Sequence, residues 1–260
     1  MEGYYKNPPV PKDADSIVNV SGGIECFASL WWAKENGLNP IALHLYNNPN
    51  NHPGKDAQLF YAKKQADFFG FPLIVEYSHL PAEVSLALMV NMYVSACTML
   101  LLGNPRDWKY MVWGGNSEDS LLQRLQLRYP TRAYLAESSF QLDLHGISGQ
   151  RFMKAPLQLF PFEMLTKSEV LSMVAKNKTL WEFASKNTWY CYPSLRDRPH
   201  LVEKIKIAKL NGKIVGYKRC GECPKCKEYD NAVQVTNKSY YKQQEGTFEK
   251  RKPKQEWIDE

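Results

Sequence analysis

The sequence predicts an α/β protein with a parallel, doubly wound sheet. Apolar segments of strand length alternate with amphipathic helical segments, and two glycine pairs, Gly22-Gly23 and Gly114-Gly115, each follow a predicted strand. Such alternation is typical of parallel sheets that carry helices on both faces. Ligands of these sheets bind at the carboxyl ends of the strands. We therefore expect both glycine pairs to face one site.

The individual elements follow from periodicity and from capping residues. Glycine just past a helical segment provides a left-handed C-cap, which predicts helix ends at Gly37 and Gly70. Thr166 and Glu169 have the spacing of a capping box at a helix start. The predicted strands are 16–20, 40–46, 71–77 and 109–115, with a strand or extended segment near 153–162, and the predicted helices are 24–36, 54–70, 86–102 and 166–177.

Length and composition indicate one globular domain with a small appended module. The chain has 260 residues, of which 44% are hydrophobic and 23% are charged. A net charge of +6 is compatible with phosphorylated ligands or nucleic acid and requires neither. The start of the chain lacks a secretory pattern, and the longest apolar stretch, 86–102, is shorter than the ~20 residues of a membrane span. We expect a cytoplasmic protein whose cysteines stay reduced.

Three cysteines are clustered in a short segment, and a fourth lies upstream. Cys220, Cys223 and Cys226 fall within seven residues, and Cys191 precedes them. Four thiolates complete the tetrahedral shell of a structural zinc ion, which would serve stability rather than chemistry. An iron–sulfur cluster also suits three clustered cysteines and one remote one. A redox pair would leave the third clustered cysteine unexplained.

The turn Ser21-Gly22-Gly23 lies between a predicted strand and a predicted helix. Successive backbone N–H groups at a helix N-terminus bind anions, so the turn is a candidate phosphate site. A tight turn without a ligand is the alternative. Glu25 and Cys26 follow, where a phosphate cradle would favour less negative charge and a hydroxyl group.

Taken together, these motifs resemble the PP-loop ATP pyrophosphatases, and among them the QueC family of 7-cyano-7-deazaguanine synthases. The SGG turn is similar to the family's SGGxDS loop, and VWGGNSED at 112–119 is similar to its GxNxxD segment. KAPLQLFPFEMLTKSEVLSMV at 154–174 resembles its P-L…K-x-E segment. TWYCY at 188–192 and CGECPKC at 220–226 resemble its zinc signature. The motifs occur in the family's order.

The resemblance implies a fold like that of the adenine nucleotide alpha hydrolases, with a C-terminal zinc-binding module. The implied divisions are a PP-loop nucleotide-binding domain at 1–187, a zinc-binding module with a basic insertion at 188–233, and a polar tail at 234–260. QueC relatives also suggest a homodimer. The basic insertion, 196–219, is either a solvated excursion or a docking surface for an acidic partner or nucleic acid.

The implied activity is that of an ATP-dependent ligase that forms C–N bonds. The enzyme would adenylate the carboxylate of 7-carboxy-7-deazaguanine and amidate it with ammonia, and the amide would be dehydrated to the nitrile. Mg²⁺ is the expected companion of the ATP phosphates. The residues carried over are Ser21, Gly22, Gly23, Glu25, Cys26, Gly115 and Asn116 for ATP, Cys191, Cys220, Cys223 and Cys226 for zinc, and Lys154 and Asp119 for catalysis.

The sequence also departs from the family pattern. Glu25 and Cys26 replace an aspartate and a serine, so we expect Glu25 to orient Mg²⁺ or a lysine and Cys26 to stand in for the serine. A low-pKa nucleophile is the alternative for Cys26. A surface lysine and a helix cap are the alternatives for Lys154 and Asp119. The segments P-x-R-N and D-Y-S-G-Y-P-D-C-R, expected to contact the deazaguanine, are missing or replaced.

Because the base-recognition segments are the less retained part, other functions stay open. Some QueC-like proteins are encoded in bacterial antiviral systems, and such a relative would pass the deazaguanine acyl group to a protein amine. A PP-loop enzyme that modifies tRNA directly is a second alternative. A non-catalytic nucleotide-sensing module is a third.

Overall fold

A five-stranded parallel sheet forms the centre of the protein, seen here in a computed structural model. Its strands are β1 (Ser16–Asn19), β2 (Pro40–Tyr46), β3 (Leu73–Tyr77), β4 (Tyr110–Val112) and β5 (Leu157–Leu159), in the order β3-β2-β1-β4-β5. Ser16 lies opposite Pro40 of β2 and opposite Tyr110 of β4. The order reverses beside β1, which makes the sheet doubly wound, as predicted.

The structure describes most, but not all, of the chain. The described residues are 5–48, 51–77, 97, 100, 103, 104, 106–117, 156–193 and 198–244, with side chains up to Thr236. Most of the predicted helix at 86–102 lies outside them. The predicted catalytic residues Asp119 and Lys154 also lie outside them.

Of the six helices whose bounds the structure describes, three follow predicted segments to within a few residues, and the last three lie where no helix is predicted. They are α1 (Ile24–Glu35), α2 (Pro53–Phe69), α3 (Lys167–Ala175), α4 (Lys178–Ala184), α5 (Pro199–Val202) and α6 (Pro224–Gln244). Gly70 caps α2 with a φ of 77°. Thr166 and Glu169 form the predicted capping box of α3. The predicted helix end at Gly37 is one residue late, because Asn36 is the C-cap of α1.

Apolar side chains cover both faces of the sheet. Because strand side chains alternate between faces, Val18 and Ile17 of β1 enter different clusters. The cluster around Val18 receives the helices α1, α2, α3, α4 and α6. The cluster around Ile17 includes Cys97 and Leu100 from helical backbone. Helices therefore pack on both faces, as the predicted fold class requires.

The basic insertion folds as an antiparallel hairpin of β6 (Lys206–Leu210) and β7 (Lys213–Lys218). Its base is held to α2, since the Tyr61 hydroxyl bonds both the N–H and the carbonyl of Tyr217 at 3.2 Å. No helix among the described residues is long and apolar enough to cross a membrane.

The glycine turn after β1 is pressed against α2. Gly22 has a φ of +80°, and a Cβ added there would lie 2.8 Å from the Gln58 carbonyl oxygen. It would also lie 3.2 Å from the Ala62 nitrogen. Gly22 is therefore required both by its left-handed backbone and by the close approach of the helix backbone.

We predict that Gly22→Ala lowers the free energy of unfolding by at least about 1 kcal/mol more than Gly37→Ala. Gly37 has a φ of +66° but has no heavy atom within 4 Å of an added Cβ. Both variants incur the left-handed cost of about 1–2 kcal/mol, and only the first adds a clash. Urea unfolding measures the difference, and equal losses would contradict the contact.

Candidate functional site

The two glycine turns meet at the carboxyl edge of the sheet. Ser21 to Gly23 follow β1, and Gly114 to Asn116 follow its neighbour β4, where the strand order reverses. A Cβ added to Gly114 would lie 3.0 Å from the Glu25 carbonyl carbon and 3.1 Å from the Cys26 nitrogen. The second turn therefore touches the first turn of α1. This is the position at which open α/β sheets bind ligands.

Glu25 is held by an amide and by a lysine. Asn116 Nδ2 donates to Glu25 Oε1 at 2.8 Å, and Lys167 Nζ lies 3.3 Å from the same oxygen. The sequence analysis expected Glu25 to orient either Mg²⁺ or a lysine. In the described residues its partner is a lysine, Lys167. The Asn116 contact also ties the end of β4 to the start of α1.

Lys167 is a buried cation between two carboxylates. It is 5% exposed, and its Nζ also forms an ion pair with Glu228 of α6. Burial alone would lower the pKa of Lys167, but Glu25 and Glu228 outweigh it and raise the pKa. Burial would likewise raise the pKa of Glu228, but Lys167 and Lys225 outweigh it and lower the pKa. The lysine is therefore fully charged at neutral pH.

Sequence reasoning missed Lys167 as a site residue. The lysine chosen from the sequence was Lys154, which lies outside the described residues. Lys167 stands in the K-x-E part of the same segment, directly after the capping residue Thr166. That position was the available signal, because the start of a helix next to the sheet edge can direct a side chain into the site.

The buried sulfur of Cys26 bonds the first residue of the glycine turn, Ser21. The Ser21 N–H donates to Cys26 Sγ at 3.2 Å, and the Ser21 hydroxyl lies 3.3 Å from the same sulfur. Burial raises the pKa of the Cys26 thiol, although a helix N-terminus by itself would lower it. The nucleophile considered for Cys26 would need a lowered pKa, and burial acts in the opposite direction. Its bonds are to the turn itself.

The carbonyl oxygens of Gly22 and Gly23 accept hydrogen bonds from groups in the protein interior. The fully buried side chain of Gln65 donates to Gly22 O at 2.8 Å and to Asn187 O at 3.0 Å. The Trp189 N–H donates to Gly22 O at 2.7 Å. Among the described residues, the Gly22 N–H has no acceptor. Hydrogen bonds to the Gly22 carbonyl oxygen therefore hold the turn in place, and the Gly22 N–H can donate to a ligand.

The four cysteines form one buried cluster. The Sγ atoms of Cys191, Cys220, Cys223 and Cys226 all lie within 4.8 Å of one another. The sulfurs of Cys191 and Cys220 are 3.4 Å apart, and those of Cys220 and Cys226 are 3.9 Å apart. Tetrahedral zinc with bonds of about 2.3 Å places its sulfurs roughly 3.8 Å apart. The cluster could therefore hold one metal ion.

The cysteine cluster lies next to the glycine turn. Cys191 is two residues after Trp189, whose N–H bonds Gly22. His52 caps α2 by accepting from the Gly54 N–H through Nδ1, and its Nε2–H donates to Pro193 O at 3.0 Å. The segment that carries Cys191 is therefore bonded to the turn at one end and to the start of α2 at the other.

Comparisons with known proteins give weak likenesses. No protein-family model and no curated protein matches the chain. Similar solved structures include the U34-tRNA thiolase NcsA from Methanococcus maripaludis with its [4Fe-4S] cluster, at 15% identity and a TM-score of 0.43, covering 83% of this chain and 80% of that one. NMN synthetase from Francisella tularensis has 12% identity and a TM-score of 0.40, covering 93% and 90%.

A third similar structure is a 4-thiouridine synthetase–RNA complex with bound ATP. It has 13% identity and a TM-score of 0.40, and the match covers 87% of this chain and 53% of that one. Likenesses at this level carry no conclusion about activity. The strand order and the paired glycine turns carry the fold assignment instead.

We predict that Cys223→Ser lowers the bound metal well below one ion per chain and lowers the melting temperature by about 10 °C. Metal binding contributes several kcal/mol to folding, and about 3 kcal/mol corresponds to that shift in a chain of this size. Mass spectrometry of the metal and calorimetry measure both effects. Cys26→Ser, at a buried cysteine outside the cluster, is the control and should keep its metal. Full metal content with unchanged stability would contradict the four-cysteine site.

We predict that Lys167→Met lowers the free energy of unfolding at pH 7 by about 3 kcal/mol, because it leaves two carboxylates without their cation. Lys167→Met combined with Glu228→Gln should recover part of the loss, which a double-mutant cycle measures. Additive losses would count against the pair.

The same ion pairs predict how stability depends on pH. The raised pKa of Lys167 gives stability that is present below about pH 10 and lost above it. The lowered pKa of Glu228 gives stability that is lost as the pH falls below about 4.

Proposed function

We propose that the chain is a PP-loop ATP-dependent ligase that activates the carboxylate of 7-carboxy-7-deazaguanine and amidates it. The contact of Gly114 with the first turn of α1 carries this proposal. It joins two glycine turns at the edge of the sheet where a nucleotide would bind, and Lys167 stands beside them. The motif order of the QueC family supports the choice of substrate.

The proposed reaction has two steps, adenylation and amidation, before the amide is dehydrated. A carboxylate oxygen attacks the α-phosphorus of ATP, and pyrophosphate leaves. Ammonia then attacks the carbonyl carbon of the acyl adenylate, AMP leaves with the electron pair of the broken C–O bond, and the nitrogen loses one proton to solvent to give the amide. Backbone N–H groups of the turn would stabilise the negative charge that develops. Mg²⁺ would accompany the phosphates as a hard cation.

We propose zinc as the metal of the cysteine cluster, with a structural role. The spacing of the sulfurs suits one tetrahedral ion. A [4Fe–4S] cluster binds each thiolate to a different iron atom and so spreads the four sulfurs further apart than one tetrahedral ion does. Visible absorption of the purified protein would separate the two, because a zinc site is colourless.

A second candidate is transfer of the deazaguanine acyl group to a protein amine. The exposed hairpin favours it, because residues 204–219 contain six lysines and arginines and no acidic residue. The hairpin also exposes Ile207, Leu210 and Val215. Exposed apolar side chains add to contact with a protein surface but not to contact with phosphates.

We predict that AMP and pyrophosphate form in equal amounts only when 7-carboxy-7-deazaguanine is supplied, and that ¹⁸O moves from its carboxylate to AMP. Gly114→Ala should lower kcat/KM at least about tenfold, because displacement of the first turn of α1 misplaces the reacting groups. Gly103→Ala is the control, since no atom of the described residues lies within 4 Å of a Cβ added there. Chromatography and mass spectrometry follow both products.

Three other outcomes would each favour one of the alternative functions. No ATP consumption with ammonia, but turnover with a partner polypeptide, would favour the conjugating enzyme. Salt-dependent tRNA binding with tRNA-dependent turnover would favour a tRNA-modifying enzyme. Absence of both ATP binding and turnover in metal-loaded protein would favour a non-catalytic module.

A further inference from the structure

Lys55 lies in the first turn of α2, at the carboxyl edge of the sheet. Its Nζ lies 4.7 Å from the centroid of the Tyr192 ring, which stacks on the His52 ring at 5.3 Å. The side chain is partly buried, and burial lowers the pKa of Lys55. The two rings therefore hold a partly desolvated cation close to the segment of the metal ligand Cys191.

The described residues provide no carboxylate for this cation. No acidic group among them lies within ion-pair distance of Lys55. The adjacent Asp56 is engaged by the Tyr46 hydroxyl at 2.5 Å and by Asn48 Nδ2 at 2.9 Å. A positive charge in the first turn of a helix is also opposed by the helix dipole. A desolvated charge without a counterion is costly, so a cation to which the described residues offer no carboxylate suits an anionic ligand.

Lys55 lies close along α2 to the part of the helix that approaches the glycine turn. It is three residues before Gln58, whose carbonyl oxygen would lie 2.8 Å from a Cβ added at Gly22. Side chains tilt toward the helix N-terminus, which here is the edge where the turn lies. Burial and then the Lys55 charge lower the pKa of His44 to about 4, and His44 Nδ1–H donates to Val20 O at 2.8 Å. Val20 directly precedes the turn.

We propose that Lys55 binds an oxyanion of the ligand, a phosphate or a carboxylate, on the β2 side of the glycine turn. Tyr192 and His52 fix the direction of its side chain. Lys167 stands on the opposite, β4 side beside Glu25 and Asn116. This inference rests on the proposed nucleotide site and adds a binding residue to it.

Calorimetric titrations of the full chain test the proposal with pyrophosphate, ATP, AMP and 7-carboxy-7-deazaguanine. A charge-assisted hydrogen bond corresponds to roughly ten- to a hundredfold in affinity, and Lys55→Met should lose this factor. Lys64→Met is the matched control, because Lys64 lies on the same helix with its Nζ 4.8 Å from the Phe60 ring, further from the edge. Its affinities should not change.

The four ligands show whether the anion that Lys55 binds is a phosphate or the substrate carboxylate. Weaker pyrophosphate and ATP binding with unchanged carboxylate binding would assign Lys55 to a phosphate, and the reverse would assign it to the substrate carboxylate. Unchanged affinities for all four ligands in a folded Lys55→Met variant would overturn the proposal. Lys55→Arg, which keeps the charge, should recover most of the affinity.

A labelling experiment gives a readout that does not depend on activity. Pyrophosphate should protect Lys55, and not Lys64, from amine acylation followed by mass spectrometry. Product formation by wild type, without protection of Lys55 and without an effect of Lys55→Met, would overturn this inference and leave the proposed function standing. Protection of Lys55 without any ATP consumption would support the inference and contradict the function. Wild type that binds none of the ligands would contradict both.

Discussion

The carbonyl oxygen of Gly22 is the point at which three parts of the molecule are joined. It accepts hydrogen bonds from Gln65 of α2 and from the backbone of Trp189, and it belongs to the turn itself. The glycine backbone allows α2 to approach closely enough for this contact. Since the Cys191 segment continues directly from Trp189, the shape of the turn and the position of the cysteine cluster depend on the same two hydrogen bonds.

Buried charge provides a second connection between the turn and the C-terminal part of the chain. Lys167 bridges Glu25 at the start of α1 and Glu228 in α6, and Glu228 follows Cys226 of the cysteine cluster by two residues. Tyr229 of the same helix packs in the main core. Removing charges from water is costly, so such a network persists only where each charge has its partners. Folding of the cysteine segment and order at the glycine turn are therefore coupled.

Local patterns in the sequence predicted the fold, the glycine turns and the cysteine cluster, because these depend on short-range periodicity and spacing. The partners of Glu25 depend on the strand order, which brings Asn116 and Lys167 to α1 from distant segments. Burial of the Cys26 thiol likewise arises from packing that no local motif shows. The roles of Lys154 and Asp119, and the division into domains, stay predictions.

The hairpin is inserted between Cys191 and Cys220, so the cysteine cluster closes the loop at its base. Loop-closure entropy grows only slowly with length, and a closed base keeps changes in the loop away from the rest of the fold. Such an arrangement lets evolution lengthen, shorten or recharge the hairpin at little cost to stability. Diversity among relatives should therefore concentrate in the hairpin, while the residues around the glycine turn vary little.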